Sequence, residues 1–322
     1  MTNIGDLHIQ QEILPLFDFT QNNFSREELF RLLGEPLASI NKILLRQGIL
    51  KGFISNLDIL KDFSYSRIDF CDVHNFLCNY SDANISKTGF KLILLFLKKD
   101  RHHIRGKFTQ LVSLFYRLQT NYFQRINTKI FPEIYKRELQ DLNNFLASFN
   151  LTYYERLIRK NRIKIKHIIK LTEIISSKVG RNEHTLFWQQ FFLFEAYLSI
   201  GKAIAKHGFS FPTFTDRDLS FKELYHPLIK QSVKNSLTIN SNVILLTGPN
   251  MSGKSTFLKA VGLSVYLGHI GLGVPAVKAE IPYFDSISIA INLNDNILSG
   301  YSHFMSEVKN LKQVVTQSAN SK

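Results

Sequence analysis

The chain has 322 residues, a net charge of +14 at pH 7, 44% hydrophobic residues and 12% aromatics. That length and apolar content allow two domains with buried cores and exclude a disordered chain. The cationic excess favours an anionic partner, whether nucleic acid, an acidic membrane surface or bound nucleotide.

In chain order, the first elements are helical. Ser25 and Glu28 stand in the Ser-x-x-Glu form of a capping box and open a stretch with apolar Leu29, Phe30, Leu32 and Leu33. A second helix is expected over 40–53, with Ile40, Ile43, Leu44 and Leu50 on one side. Lys98 to Arg105 reads as a basic loop. Phe108 to Ile126 has Leu111, Leu114, Phe115 and Leu118 at helical spacing. Pro132 suits a first helical turn, where its missing N–H costs little. A long helical stretch then runs to about Val179, with a break near Asn150. Trp188 to Lys206 reads as a further helix, ended by Gly208.

After Gly208-Phe209-Ser210-Phe211-Pro212, the best linker candidate, the texture changes. Short β-type runs appear at Val243 to Leu246 and at Ile287 to Ile291, punctuated by glycine and proline. The expected organisation is a helical domain over 1–215 and part of an α/β domain over 216–322, an α + α/β fold class. There is no internal repeat and no low-complexity tract.

The strongest motif is Gly248-Pro249-Asn250-Met251-Ser252-Gly253-Lys254-Ser255-Thr256, which contains the phosphate-loop pattern Gly-x-x-x-x-Gly-Lys-Ser. An apolar run, Val243 to Leu246, leads in, and an apolar helix, Phe257 to Leu267, leads out. The chemistry needs that order. The glycines let backbone N–H groups turn inward toward phosphates, and the helix N-terminus adds partial positive charge there. Lys254 can reach the β- and γ-phosphates, and the Ser255 hydroxyl can ligate Mg²⁺. A chance match would lack the correct flanks.

The stretch Thr247 to Thr256, with its Pro-Asn-Met insert, resembles the ATPase domain of the MutS superfamily, the DNA mismatch repair group. Ser252 stands where the family usually has glycine. Gly271 to Ala276 and Ala279 to Asp285 resemble the segment after the first helix of that domain. Asp295 follows, and Gly300-Tyr301-Ser302-His303-Phe304-Met305-Ser306-Glu307 resembles the family's Gly-x-Ser-Thr-Phe-Met-x-Glu motif, with His303 in place of threonine. Leu224-Tyr225-His226-Pro227-Leu228 resembles the His-Pro element that opens the domain. Where the family often stacks an aromatic residue on adenine, this chain has Ser232. More faintly, Asp18-Phe19-Thr20, Leu29, Leu32, Pro36-Leu37, Ile40, Arg46-Gln47 and Phe53 follow the family's helical core.

The resemblance implies a helical core and lever domain followed by the N-terminal part of an ABC-like phosphate-loop ATPase domain, the family's domain V. It implies ATP or ADP with Mg²⁺, held by residues 248–256 and His226, with Mg²⁺ on Ser255. It implies catalytic roles for Asn250 and Lys254, and for Ser302 in trans, against the γ-phosphate of a second subunit. The implied function is ATP-coupled binding of mismatched, branched or distorted duplex DNA by a dimer in DNA repair or recombination.

Three family features are not found. The N-terminal mismatch-binding and connector domains are absent from this sequence; Phe131-Pro132-Glu133 and Phe221-Lys222-Glu223 fit the family's Phe-x-Glu wedge only as chance tripeptides. No apolar strand ending in the Mg²⁺-binding Asp and water-activating Glu follows Thr256, so the sequence reads as cut within its ATPase domain. Nucleotide binding is therefore expected more firmly than hydrolysis. No β-rich clamp insert separates the lever helices. A non-catalytic adaptor that keeps the nucleotide-binding shape for protein–protein contact is the alternative; an unrelated switch or transporter ATPase would lack the Pro-Asn-Met insert.

Arg156, Arg159, Lys160, Arg162, Lys164 and Lys166, with Lys170 beyond, have no acid among them and alternate with isoleucines. They are candidates for sequence-blind contact with a DNA backbone, against the plainer reading of a solvated helix face. The ten histidines form no zinc set, and neither His-Glu-x-x-His nor Gly-x-Ser-x-Gly occurs. Cys71 and Cys78 are too few for a disulfide framework. The N-terminus lacks signal-peptide order, and the longest apolar run, Leu92 to Leu97, falls far short of the about 20 residues of a bilayer span. A soluble cytoplasmic protein without membrane contact is expected.

Overall fold

The helical spacing of the first two hundred residues becomes a succession of helices in the computed structural model, which describes residues 4–34, 36–80, 98–216, 218–289, 291 and 312. They are α1 (Asn23–Gly34), α2 (Ile40–Ile54), α3 (Arg67–Cys78), α4 (Lys98–Leu118), α5 (Glu133–Ala147), α6 (Leu151–Arg159), α7 (Ile165–Gly180) and α8 (Glu183–His207). Strands β1 (Thr213–Thr215), β2 (Leu219–Leu224) and β3 (Asn235–Ile239) follow, then α9 (Lys254–His269) and β4 (Lys278–Pro282). Among the described residues, no helix is long and apolar enough to cross a membrane.

Several expected boundaries move, each for a local reason. The cap of α1 is Asn22, not Ser25: Asn22 Oδ1 accepts the Ser25 N–H at 2.9 Å, and Ser25 itself is buried. On α2, Ile43 and Leu50 are buried while Ile40 and Leu44 are exposed, so the apolar face is narrower than its sequence suggests. Lys98 to Arg105 is not a loop but the first part of α4, in which Lys98, Lys99, Arg101 and Arg105 are good helix formers. The long stretch after Pro132 is three helices, because Asn150 and Asn161 both take left-handed conformations, φ 51°. Asparagine tolerates that region better than most residues.

The chain packs as two compact units, cut differently from the expected 215/216 boundary. One comprises residues 1–18, 30–50 and 200–322; the other comprises 19–29 and 51–199. Helices α1, α2 and α8 each contribute residues to both.

The all-helical unit is built on aromatic contacts. Phe145 stacks on Phe187 at 4.4 Å, and Phe53, Phe63 and Phe123 surround Phe194. Phe131, one of the two wedge-like phenylalanines, is buried under Gly52, and Phe221 is buried in β2; both belong to the core. Glu195 is also buried, yet well satisfied: its carboxylate accepts Tyr65 Oη at 2.6 Å, Asn22 Nδ2 at 3.0 Å and the Gln21 N–H. Burial and that carboxylate push the Tyr65 phenol far above its usual range.

The other unit holds a small mixed sheet in the order β1-β4-β2-β3. β1 and β4 are parallel, and β2 is antiparallel to both β4 and β3. The proposed linker is part of this unit: Ser210 exchanges both backbone hydrogen bonds with Val274, and Phe209 is buried. The expected strand at Val243 to Leu246 does not form. Its four apolar side chains are exposed, and no described strand lies beside it to complete a ladder. Ile287 and Ile289 do point inward, and among the described residues of that run only Ser288 forms an isolated bridge.

Helix α9 is held at its C-terminal end. Residues Leu263 to Ile270 are buried. Arg46 Nη1 donates to Ile270 O at 2.8 Å and to Leu32 O at 3.1 Å, so one guanidinium serves the C-terminal carbonyls of both α9 and α1. Tyr266 Oη donates to the neighbouring Leu33 O at 2.6 Å. Gly271, φ 76°, ends α9; a Cβ there would lie 3.0 Å from Arg46 Cβ, so glycine lets the arginine close in. Arg46→Met keeps the length of the side chain and removes the donors. Urea unfolding of that variant is expected to show a loss of about 2 kcal/mol, the cost of leaving such carbonyls unpaired.

Candidate phosphate-loop site

The motif residues occupy one continuous turn and the head of α9. Residues 248–253 form an exposed loop, and Lys254, Ser255 and Thr256 form the first turn of the helix. The backbone takes positive φ at Met251 (64°) and Gly253 (87°). At Gly253 this is the N-cap position, where a residue with a side chain would be strained. Met251 takes the left-handed conformation with its side chain fully exposed, so apolar burial does not offset that conformational cost.

The first intrahelical bond runs from Phe257 N to Gly253 O. The amides of Lys254, Ser255 and Thr256 therefore have no partner within the helix, as at any helix start, and carry its partial positive charge. Lys254 Nζ donates to Gly248 O at 2.8 Å and Pro249 O at 2.6 Å, which lays the ammonium across the loop. Asn250 is exposed.

A cleft of about 550 Å³ opens from the loop, within the size range of small-molecule sites. Lys254 and Thr256 line one part, and Tyr225, His226, Ile229 and Val233 another. A bulge in β2 places that second wall: the register with β3 shifts between Phe221 and Leu224, and Glu223 takes φ 53°. The Tyr225 hydroxyl donates to His207 O, and the His226 N–H donates to Ser232 Oγ at 3.1 Å. Ser232, at the expected stacking position, thus orients the backbone beside His226. Burial keeps His226 below the usual histidine range, Lys259 acts in the same direction, and Glu12 opposes them. Among the described residues, His226 Nδ1 is buried without a hydrogen-bond partner.

The MutS domain V family model matches residues 244–322, which include this loop. The chain is 35% identical over 153 residues to the DNA mismatch repair protein MSH3 of Candida albicans, covering 43% of the chain and 15% of that relative. It is 36% identical over 126 residues to the DNA mismatch repair protein MutS of Thermus thermophilus, covering 38% of the chain and 15% of the relative. Against MutS of Persephonella marina the likeness is 25% over 319 residues, covering 92% of the chain and 34% of the relative. Over residues 244–322 the chain is thus similar to MutS domain V, and its likeness to a MutS relative extends over 92% of its length. It spans only a part, 15% to 34%, of the length of these MutS relatives.

One cleft is lined both by His226 and by Ser252, Gly253, Lys254 and Thr256 of the motif. Ser302 and the rest of 300–307, like Asp295, lie outside the described residues. The basic candidates form a separate group in the helical unit. Arg156 and Arg159 lie in the last turn of α6, Lys160 and Arg162 in the turn after it, Lys164 caps α7, and Lys166 is in its first turn. All six are exposed; Arg159 is paired with Glu155 at 2.9 Å. They line a helix end, a turn and a helix start rather than one helix face. Sequence reading did not single out Tyr225, Ile229 and Val233 as a wall; their apolar character beside the His-Pro element was the available signal.

His269 supplies a pH test of the unit that carries the loop. Its Nδ1–H donates to Val265 O at 2.8 Å, and its Nε2 accepts the Phe284 N–H at 2.9 Å, which requires the neutral ring. Burial lowers its pKa, and the same holds for His226 and His207. A histidine depressed in the folded state gives stability that is full above its unfolded pKa, about 6.5, and is lost as pH falls toward the folded value. The melting temperature is expected to fall as pH is lowered below about 6.5, and His269→Gln to flatten that slope in a pH series of thermal melts.

Proposed function

We propose that this chain is an ATP- and ADP-binding, MutS-related protein of DNA repair or recombination. The observation that supports this reading is the placement of Lys254 and the loop amides at the head of α9, opening into a cleft whose other wall carries His226. The amides and Lys254 suit the β- and γ-phosphates, and the wall of Tyr225, His226, Ile229 and Val233 suits the base and sugar. The Ser255 hydroxyl fits Mg²⁺ as a single protein ligand; among the described residues, no group of three His, Cys, Asp or Glu side chains could hold a metal. Magnesium would then be carried mainly by the nucleotide's own phosphates.

Nucleotide binding is the activity assigned to these residues, and hydrolysis to an ATPase domain that includes the acidic pair. Asn250 is assigned the positioning of attacking water in such a domain, and Ser302 contact with the γ-phosphate held by a second subunit. The DNA partner is assigned to mismatched, branched or distorted duplexes, held through phosphate contacts at Arg156, Arg159, Lys160, Arg162, Lys164 and Lys166. The adaptor reading draws on one observation, the exposed apolar run from Val243 to Leu246 beside the loop.

Isothermal titration with ADP·Mg²⁺ tests the nucleotide assignment. Lys254→Ala is expected to weaken binding about 10- to 100-fold, the range for a charged hydrogen bond to phosphate. Equal affinities in the two proteins would contradict it.

A further inference from the structure

Helices α6 and α7 enclose a second cleft, of about 770 Å³, far from any role in nucleotide binding assigned above. Its lining includes Asn150, Tyr153, Lys166, His167, Lys170 and Ser177. Lys166 and Lys170 are exposed, while Lys178, which also lines it, is paired with Glu183. Glu173 is the acid on the lining, so the cleft is positive by one charge. Lys164 adds to this, since its charge bears on the His167 ring together with those of Lys166 and Lys170.

Tyr153 gives the cleft a second chemical character. It is 45% exposed although it sits among ordered partners. Its ring meets Tyr154 edge-on at 5.1 Å, and its hydroxyl lies 3.4 Å from His167 Nε2. The Lys164 N–H donates to His167 Nδ1 at 3.0 Å, so the ring proton must reside on Nε2, facing the tyrosine oxygen. The tyrosine ring is thus fixed by steep contacts with the Tyr154 and His167 rings and by its hydroxyl. A positive cleft with a positioned, partly exposed aromatic ring is the combination that binds single strands, in which phosphates meet lysines and unstacked bases meet rings. A base inside a duplex is already stacked on both faces and cannot use such a wall.

We propose that this cleft binds an unpaired nucleotide of single-stranded DNA, with its base on Tyr153 and its phosphates on Lys166 and Lys170. The proposal deepens the reading that this basic segment contacts DNA, and rests on it. It makes the recognised feature of a branched substrate the unpaired strand at the branch.

The test is fluorescence anisotropy on the full chain, with labelled oligo-dT, a blunt duplex and a duplex bearing a single-stranded tail, at several salt concentrations. Tyr153→Ala is expected to weaken oligo-dT and tailed duplex about 5- to 100-fold and to leave the blunt duplex within about twofold. Tyr153→Phe should retain oligo-dT affinity, because stacking does not need the hydroxyl. Replacing the exposed Lys166 and Lys170 together by Ala should lower the slope of log affinity against log salt for oligo-dT by about 1.4. The lysine pair keeps the test open should Tyr153→Ala fold poorly. Equal losses on blunt duplex and oligo-dT, or no loss on either, would overturn the proposal. Binding of blunt duplex by the wild type without binding of oligo-dT would overturn it and leave the broader DNA reading standing; binding of neither would remove both.

Discussion

A single guanidinium organises the unit that carries the phosphate loop. Helix C-termini present carbonyls with no intrahelical partner and a partial negative charge, and two such ends, of α1 and α9, meet at Arg46. The two hydrogens of one guanidinium nitrogen serve both carbonyls, and its positive charge suits both helix ends. Tyr266 adds a second bond to α1 one residue on, and Gly271 leaves the space that the arginine occupies. The consequence lies at the other end of α9. The residues that hold the helix are buried in its C-terminal half, so its N-terminal turn, with Lys254, Ser255 and Thr256, stands free at the cleft in a fixed direction. Anion binding needs that division: a rigid helix behind and unpaired amides in front.

The helical unit solves a different problem. It buries a carboxylate, Glu195, which accepts bonds from Tyr65, Asn22 and Gln21. A carboxylate buried without them would cost several kcal/mol, of the order known for broken buried ion pairs. With them it ties the start of α1 to α8 within one unit. Aromatic side chains pack beside an aliphatic core in edge-on and stacked contacts, which specify neighbours more narrowly than aliphatic contacts do.

Much of this was legible from residues alone, and the failures have physical causes. Gly208 ends α8, and Asn150 breaks the long helical run, because backbone conformation at those positions follows from residue type. Asn161 broke the same run unannounced, in a segment whose charge pattern looked continuous. The Ser25–Glu28 pair matched a capping pattern, yet the helix starts three residues earlier, where Asn22 accepts the Ser25 amide. Val243 to Leu246 has the composition of a strand, but a strand exists only through a neighbour, and none of the described residues provides one. The turn and helix start at 248–256 were legible because glycine conformation and helix onset are local properties. The facing wall of the cleft depended on a bulge in β2 and on a turn held by Ser232, which no local pattern encodes. Arg46 was visible only as part of a family-like spacing; its bridging role required the two helix ends to be brought together.

The central claim is that nucleotide phosphates are held by backbone amides at the head of α9, with the rest of the nucleotide in the adjoining cleft. Amide hydrogen exchange with and without ADP·Mg²⁺ reads those groups directly. The account predicts added protection concentrated at residues 252–257, with a smaller gain over 225–233. Unchanged exchange at the loop under saturating nucleotide, or protection confined to other segments, would contradict it.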